Sequence, residues 1–207
     1  MADPKAKTGS GAVLQLLASG LRFWIRQQCE VVEGLELQLH GSGLGLLRGR
    51  IEAVSLVAQR VVFNNMELED VELRSTSIEV QVGGLLKRQP MRLEKPFWIE
   101  GKVAFSEAGL SRSLGNAQWH ALGDRIADGL LGLSPLQTIS IDQDHLMLSA
   151  DHRRCKAVPR IVQGALQFCS CSGQPCVSLP GDPNITLENV QIAHGRLQIS
   201  GKALVSP

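Results

Sequence analysis

One nine-residue pattern occurs twice, near opposite ends of the chain, and it dictates what kind of fold is open to it. Asn65-Met66-Glu67-Leu68-Glu69-Asp70-Val71-Glu72-Leu73 returns as Asn184-Ile185-Thr186-Leu187-Glu188-Asn189-Val190-Gln191-Ile192. In each copy the apolar positions alternate, slip by one at Glu69-Asp70 or Glu188-Asn189, and alternate again. Alternation puts successive side chains on opposite faces of a strand, and the slip predicts a tight turn or a β-bulge. A shorter echo follows each copy: Ile99-Glu100-Gly101-Lys102-Val103 and Ile199-Ser200-Gly201-Lys202-Ala203. Two such β-modules around a different middle predict a curved sheet with an apolar inner face. That surface suits holding something apolar better than bond chemistry.

Outside the modules the period changes. Met1 to Ser10 is polar and expected to be disordered, so the chain divides into residues 1–10 and a single α+β domain over 11–207. From Gly11 to Glu33 the spacing is helical, with Leu14, Leu17, Leu21, Trp24 and Val31 on one stripe and Gly34 placed to stop the helix. Strand patterns follow at Leu35-Leu37-Leu39, from Ile51 to Phe63, and at Ile78-Val80-Val82, with a hairpin punctuated by Pro90 and Pro96 that ends at Phe105. Ser106 is placed to cap a short helix carrying Leu110 and Leu114, and Asn116 a second one carrying Trp119, Leu122, Ile126 and Leu130. Ile139, Ile141, Leu146 and Leu148 then form a hairpin around Asp142-Gln143-Asp144. The stretch 151–183 is basic, then rich in Cys, Gly and Pro, and reads as an irregular loop before the second module.

Composition removes several function classes. The net charge is +1, tyrosine is absent and aromatics make up 4%, so neither a field that gathers phosphates nor a platform for stacking bases is expected. No run approaches 18 apolar residues, which leaves no transmembrane helix. Lys5 and Lys7 precede an apolar run that is too short, and interrupted by Gln15, for a signal peptide. Five cysteines, an odd count at low density, predict reduced thiols and a cytoplasmic location or one peripheral to the membrane.

Candidate chemistry is sparse. His152, Cys155, Cys169, Cys171 and Cys176 could supply a zinc ion, but Cys-x-Cys-x4-Cys is not the paired-knuckle spacing that zinc sites use, so no metal is expected. Asp142 and Asp144 fit a turn, where aspartate bonds to backbone amides. No Gly-x-Ser-x-Gly elbow is present, and Gly41-Ser42-Gly43-Leu44-Gly45 lacks the strand-to-helix setting of a phosphate cradle. The chain is read as a non-enzyme without a cofactor. Basic residues gather at Arg153, Arg154 and Lys156, and at Lys87, Arg88, Arg92 and Lys95 beside the apolar tip Gly83-Gly84-Leu85-Leu86. Such runs are usually solvated loops, and the functional alternative is attraction to anionic headgroups.

Four segments together resemble a known family: Trp24 to Glu30, Leu47 to Leu56, Val71 to Arg74, and Phe105 to Leu114. They are similar to the LmeA-like phospholipid-binding family of bacteria, formerly a domain of unknown function, and to its branch from photosynthetic bacteria. The likeness is strongest over residues 12–150 and looser beyond. It implies a mainly antiparallel sheet curled around a long helix, similar to tubular lipid-binding (TULIP-like) folds, with a phospholipid's acyl chains in an apolar groove and no catalytic motif. On this reading Leu110, Leu114, Trp119, Leu122, Ile126 and Leu130 line the groove, Arg88, Arg92 and Lys95 meet the headgroup, and the partner is a phospholipid at a membrane surface. The competing readings are a non-catalytic scaffold that binds a protein by strand addition and a zinc-dependent module in the Cys-rich stretch.

Overall fold

The computed structural model describes residues 6–80 and 93–207. The Gly83-to-Leu86 tip, Val82, Lys87, Arg88, Pro90 and Arg92 lie outside the described residues, as do the side chains of Leu14 and Leu17.

Helix α1 (Ala6–Gln28) leads into strand β1 (Val31–His40). The helix therefore includes Ala6 to Ser10, where disorder was expected, and ends before Glu33. The β-branched pair Val31-Val32 favours extended backbone. Gly34 stops nothing: with φ 56° it sits inside β1, within the register shift between Glu33 and Glu36. The helix stripe that faces the protein runs through Ala18, Leu21 and Ile25, continuing to Cys29, whereas Trp24 points outward.

A short helix α2 (Gly43–Leu47) follows β1, so the glycine-rich segment does join a strand to a helix, contrary to the sequence reading, although the helix is only 5 residues long. Strands β2 (Arg50–Ile51), β3 (Ala53–Phe63), β4 (Met66–Ser75), β5 (Ile78–Glu79) and β6 (Phe97–Ser106) follow. Two helices come next, α3 (Glu107–Gly115) and α4 (His120–Leu131). Strands β7 (Thr138–Asp142), β8 (His145–Ala150), β9 (Arg153–Val162), β10 (Ala165–Ser170), β11 (Cys176–Ser178), β12 (Ile185–Ala193) and β13 (Arg196–Val205) complete the chain. The result is α+β, dominated by open, curved antiparallel sheets. One has six strands in the order β1-β3-β4-β6-β13-β12, one has five in the order β11-β10-β9-β8-β7, and β2 pairs with β5.

Both copies of the repeat are strands of the six-stranded sheet. The two echo segments pair with each other in β6 and β13, with Gly101 opposite Gly201. In the second copy the ladder shifts between Leu187 and Asn189, which is the bulge expected from the slipped alternation. In the first copy β4 stays in register with β3, because the opposing strand slips too: Arg60 takes a φ of 47° between Gln59, opposite Asp70, and Val61, opposite Leu68. Either way two apolar side chains three residues apart reach the same face.

Two sequence expectations are corrected here. The 151–183 stretch is not mostly loop; it contributes β9, β10 and β11. Cys155 and Ala157 point inward from β9 while Arg154 and Lys156 point out, and Gln163-Gly164, with φ 51° and 77°, makes a two-residue hairpin turn. Charge and cysteine content masked an ordinary alternation. Asn116 does not cap α4, whose N-cap position is Trp119. Its carbonyl accepts from the N–H groups of Trp119 and His120, and its side chain from that of Gln118, so it bridges the two helices. Ser106 does cap α3, accepting from the Gly109 N–H at 3.2 Å.

The main core lies between the five-stranded sheet and the helices. Ile126, Leu130 and Leu131 of α4 pack on Leu146, Leu148, Ala157, Phe168 and Val177, and α3 closes one side with Leu110 and Leu114. Helix α4 thus rests on β8 to β11 rather than being enclosed by the six-stranded sheet. A second cluster, Leu35, Ala58, Val61 and Val71, lies under Ile25 and Cys29 at the α1 end.

Candidate functional site

The six-stranded sheet has two unlike faces, and strand alternation decides which residue joins which. One cross-strand row runs Leu37, Leu56, Leu73, Gly101, Gly201, Leu187; a neighbouring one contains Ile99, Ala203 and Ile185. The opposite face carries Glu72, Arg74, Glu100, Lys102 and Lys202. There Lys102 stands opposite Glu72, Arg74 opposite Glu100, and Lys202 opposite Glu100, a checkerboard that favours this register.

The apolar face is only partly used by the protein itself. Its α3 end, with Phe105 and Leu197, is buried in the main core, and its β1 side is covered by α1. Between them Leu56, Leu73, Phe97, Ile99, Leu187, Ala203 and Val205 remain half-buried, and Ile185 is 46% exposed. Gly101 and Gly201 bring backbone to the middle of this strip, and Leu73 leans over the first of them. The strip carries no charged side chain of its own.

An open depression of about 450 Å3 lies on the charged face. Three carboxylates (Glu72, Glu100, Glu188) and three cations (Arg74, Lys102, Lys202) line it. Lys202 bonds Glu188 at 3.0 Å, and that hydrogen bond holds its ammonium above the usual lysine range. The charges are balanced in number, and Lys202 also lies 3.7 Å from Glu100. Arg60 with Glu33, Arg196 with Asp70, and Arg112 with Glu67 are further ion pairs of this sheet.

Leu110, Leu114, Ile126 and Leu130, expected to line a groove, are brought together in the main core, where all four are buried. Leu122 is half-buried against them. Trp119 stands half-buried at the α3–α4 junction, its indole N–H donating to the Asn64 carbonyl at 2.7 Å. Of the headgroup candidates, Arg88 and Arg92 lie outside the described residues. Lys95 pairs with Glu79 at 2.7 Å, and this hydrogen bond holds the Glu79 carboxyl below the usual range.

The model of the LmeA-like phospholipid-binding family matches residues 8–203. The chain belongs to that family. The match runs from α1 into β13, so both sheets, and not only the 12–150 segment in which the resemblance is strongest, are part of the LmeA-like unit. Neither a curated protein nor a solved structure matches the chain. No helix among the described residues is long and apolar enough to cross a membrane.

In this LmeA-like chain the cysteines depart from the expected reduced state. Cys169 and Cys176, opposite each other on β10 and β11, form a disulfide, which occupies two of the four sulfurs a zinc site would have drawn on. Cys155 is half-buried on β9, and Cys171 is exposed. No group of three or more His, Cys, Asp or Glu side chains suited to a metal occurs among the described residues. The bond closes a loop with a sequence separation of 7. Closing so short a loop is worth about 2–2.5 kcal/mol by the chain-entropy relation. Cys176→Ser is expected to lose that much in urea unfolding, and a reductant to remove the same amount from the wild type; unchanged midpoints in both would contradict the bond.

Asp142 and Asp144 do occupy the β7–β8 turn, where Gln143 has a φ of 56°. Both carboxylates grip His145, Asp144 at Nδ1 (2.9 Å) and Asp142 at Nε2 (3.1 Å). The His145 hydrogen bond lowers the Asp144 carboxyl below its usual range. This arrangement ties the β7–β8 hairpin. The sequence predicted an apolar inner face for a curved sheet; what it missed was which residues make up the half-buried strip. Its signal was present in the echo itself, where Ile99, Gly101 and Val103 alternate with charged residues.

Proposed function

We propose that this protein binds a phospholipid without catalysis and holds or transfers it at a membrane surface, with the acyl chains laid along the half-buried strip of the six-stranded sheet. The observation that carries this reading is that strip: an apolar surface continuous with the core, in a chain of a phospholipid-binding family, left incompletely covered by the protein's own side chains. Burying ten acyl methylenes gains about 8 kcal/mol. Lost translation and chain ordering take back a large part of it.

On this reading Leu110, Leu114, Trp119, Leu122, Ile126 and Leu130 form the support beneath the lipid face, and the sheet curls over the hydrocarbon as in tubular lipid-binding proteins. Lys95, with Arg88 and Arg92, receives the phosphate. The Lys95–Glu79 pair is exposed on its lysine side and so is cheaply exchanged for a lipid anion. Strand addition finds less support, because α1 packs on edge strand β1 and the Gly164 carbonyl accepts from the Leu187 N–H on edge strand β12.

Native mass spectrometry of the purified protein, with lipid extraction alongside, tests the reading. The expected result is phospholipid at about one molecule per chain, released by organic solvent. Lipid-free protein accompanied by a stoichiometric protein partner would overturn it in favour of the scaffold.

A further inference from the structure

We propose that α1 and α2 form a docking surface for an anionic phospholipid bilayer, separate from the strip that takes the lipid itself; this deepens the function proposed above and rests on it. Helix α1 turns Ala18 and Ile25 toward the sheet. On its outer side Phe23 is 66% exposed and Trp24 58%, although the protein has few aromatics to place anywhere. On α2, which packs against α1, Leu44 is 70% exposed. Three large apolar side chains in water on two adjoining elements represent a cost that a bilayer interface would remove, and tryptophan favours that interface in particular.

Charge commits the surface to one occupant. The chain has 20 acidic residues, yet none falls between Asp3 and Glu30, nor between Glu36 and Glu52. Those two acid-free segments contain α1 and α2 and carry Lys5, Lys7, Arg22, Arg26, Arg48 and Arg50. The Arg22 guanidinium donates to the Leu37 carbonyl at 2.9 Å, anchoring α1 to β1, while Arg26 and Arg48 are exposed. A second copy of the chain would set the same cations against themselves across a two-fold axis. An anionic leaflet is complementary in both charge and apolarity. The acyl strip then lies on a body already held at the surface from which lipid is drawn.

Vesicle co-sedimentation tests this, using phosphatidylcholine alone and phosphatidylcholine with one-third phosphatidylglycerol. Wild-type partitioning is expected to be at least about tenfold stronger on the anionic vesicles. Phe23→Ala/Trp24→Ala is expected to lose about tenfold on them. Arg26→Glu/Arg48→Glu is expected to abolish the preference for the anionic surface. Brominated acyl chains are expected to quench wild-type tryptophan fluorescence more strongly than that of Trp24→Phe, which keeps only Trp98 and Trp119. Circular dichroism matching the wild type shows that each variant folds, and the quenching needs no destabilised variant. Equal partitioning onto both vesicles, wild-type binding by the aromatic variant, or a dimer that Phe23→Ala/Trp24→Ala dissolves would overturn the docking surface. Uptake of soluble dihexanoyl-phosphatidylcholine, read by native mass spectrometry, separates the two claims. Retained uptake with no vesicle docking defeats this inference alone, and docking without uptake defeats the lipid-strip reading alone.

Discussion

Replacing Gly201 by alanine is expected to destabilise the protein by about 2–4 kcal/mol, whereas the same change at Gly101 costs under about 1 kcal/mol. The two glycines face each other across β6 and β13 and occupy equivalent places in the echoed segments. Their surroundings differ. A Cβ on Gly201 would stand 2.4 Å from the Thr186 carbonyl oxygen and 2.9 Å from the Leu187 Cα, which are backbone atoms of the bulge in β12. They retreat only if the bulge is undone, and with it the slip that lets Leu187 and Val190 share one face. A Cβ on Gly101 would meet only the Cδ2 atom of Leu73, at 3.0 Å, and that methyl moves by rotation. Alanine also lowers the entropy of the unfolded chain, which offsets about 0.4–1 kcal/mol at either position. Urea unfolding of the two variants gives the comparison. Equal losses would mean that the close approach at the second repeat is not what fixes glycine there.

The repeat exposed the sheet because alternation is a local signal that survives whatever lies across from it. The bulge at Glu188 and the Ser106 cap were legible for the same reason: each depends on a few neighbouring residues. What failed depended on how strands and helices pair, which no single segment shows. Arg154 and Lys156 are ordinary outward residues of β9, but their charge and the nearby cysteines hid the strand. The pairing of Cys169 with Cys176 follows from the β10–β11 register, which spacing does not reveal. Trp24 was assigned inward with Leu21, yet the stripe that meets β1 passes through Ala18 and Ile25. The apolar faces of α3 and α4 show the deepest limit. Their periodicity says that Leu110, Leu114, Ile126 and Leu130 face something apolar, and it is the same whether that something is a protein sheet or a lipid chain. Only the packing distinguishes the two, and it supplies Leu146, Leu148 and Phe168 as neighbours.

Ala203→Asp is expected to leave the fold intact and to weaken phospholipid binding by about a hundredfold, some 2.7 kcal/mol. Ala203 is half-buried on the strip between Ile99 and Ile185. Without lipid a carboxylate there reaches water at the open side, so the stability loss should stay near about 1 kcal/mol. With an acyl chain across it, the same carboxylate loses its hydration and gains no hydrogen-bond donor in return, since Gly101, Ile99 and Ile185 offer none from their side chains. Binding, not folding, takes the penalty. Leu130→Ala is the matched control. Leu130 is buried between α4 and the five-stranded sheet, so its truncation should cost about 2–5 kcal/mol of stability while folded molecules bind lipid as before. Titration of both variants with a fluorescent phospholipid, corrected for the folded fraction from urea unfolding, gives the answer. Should Ala203→Asp bind like the wild type while Leu130→Ala does not, the hydrocarbon would have to enter between α3 and α4. The core that now fills that space would then be the part of the molecule that opens.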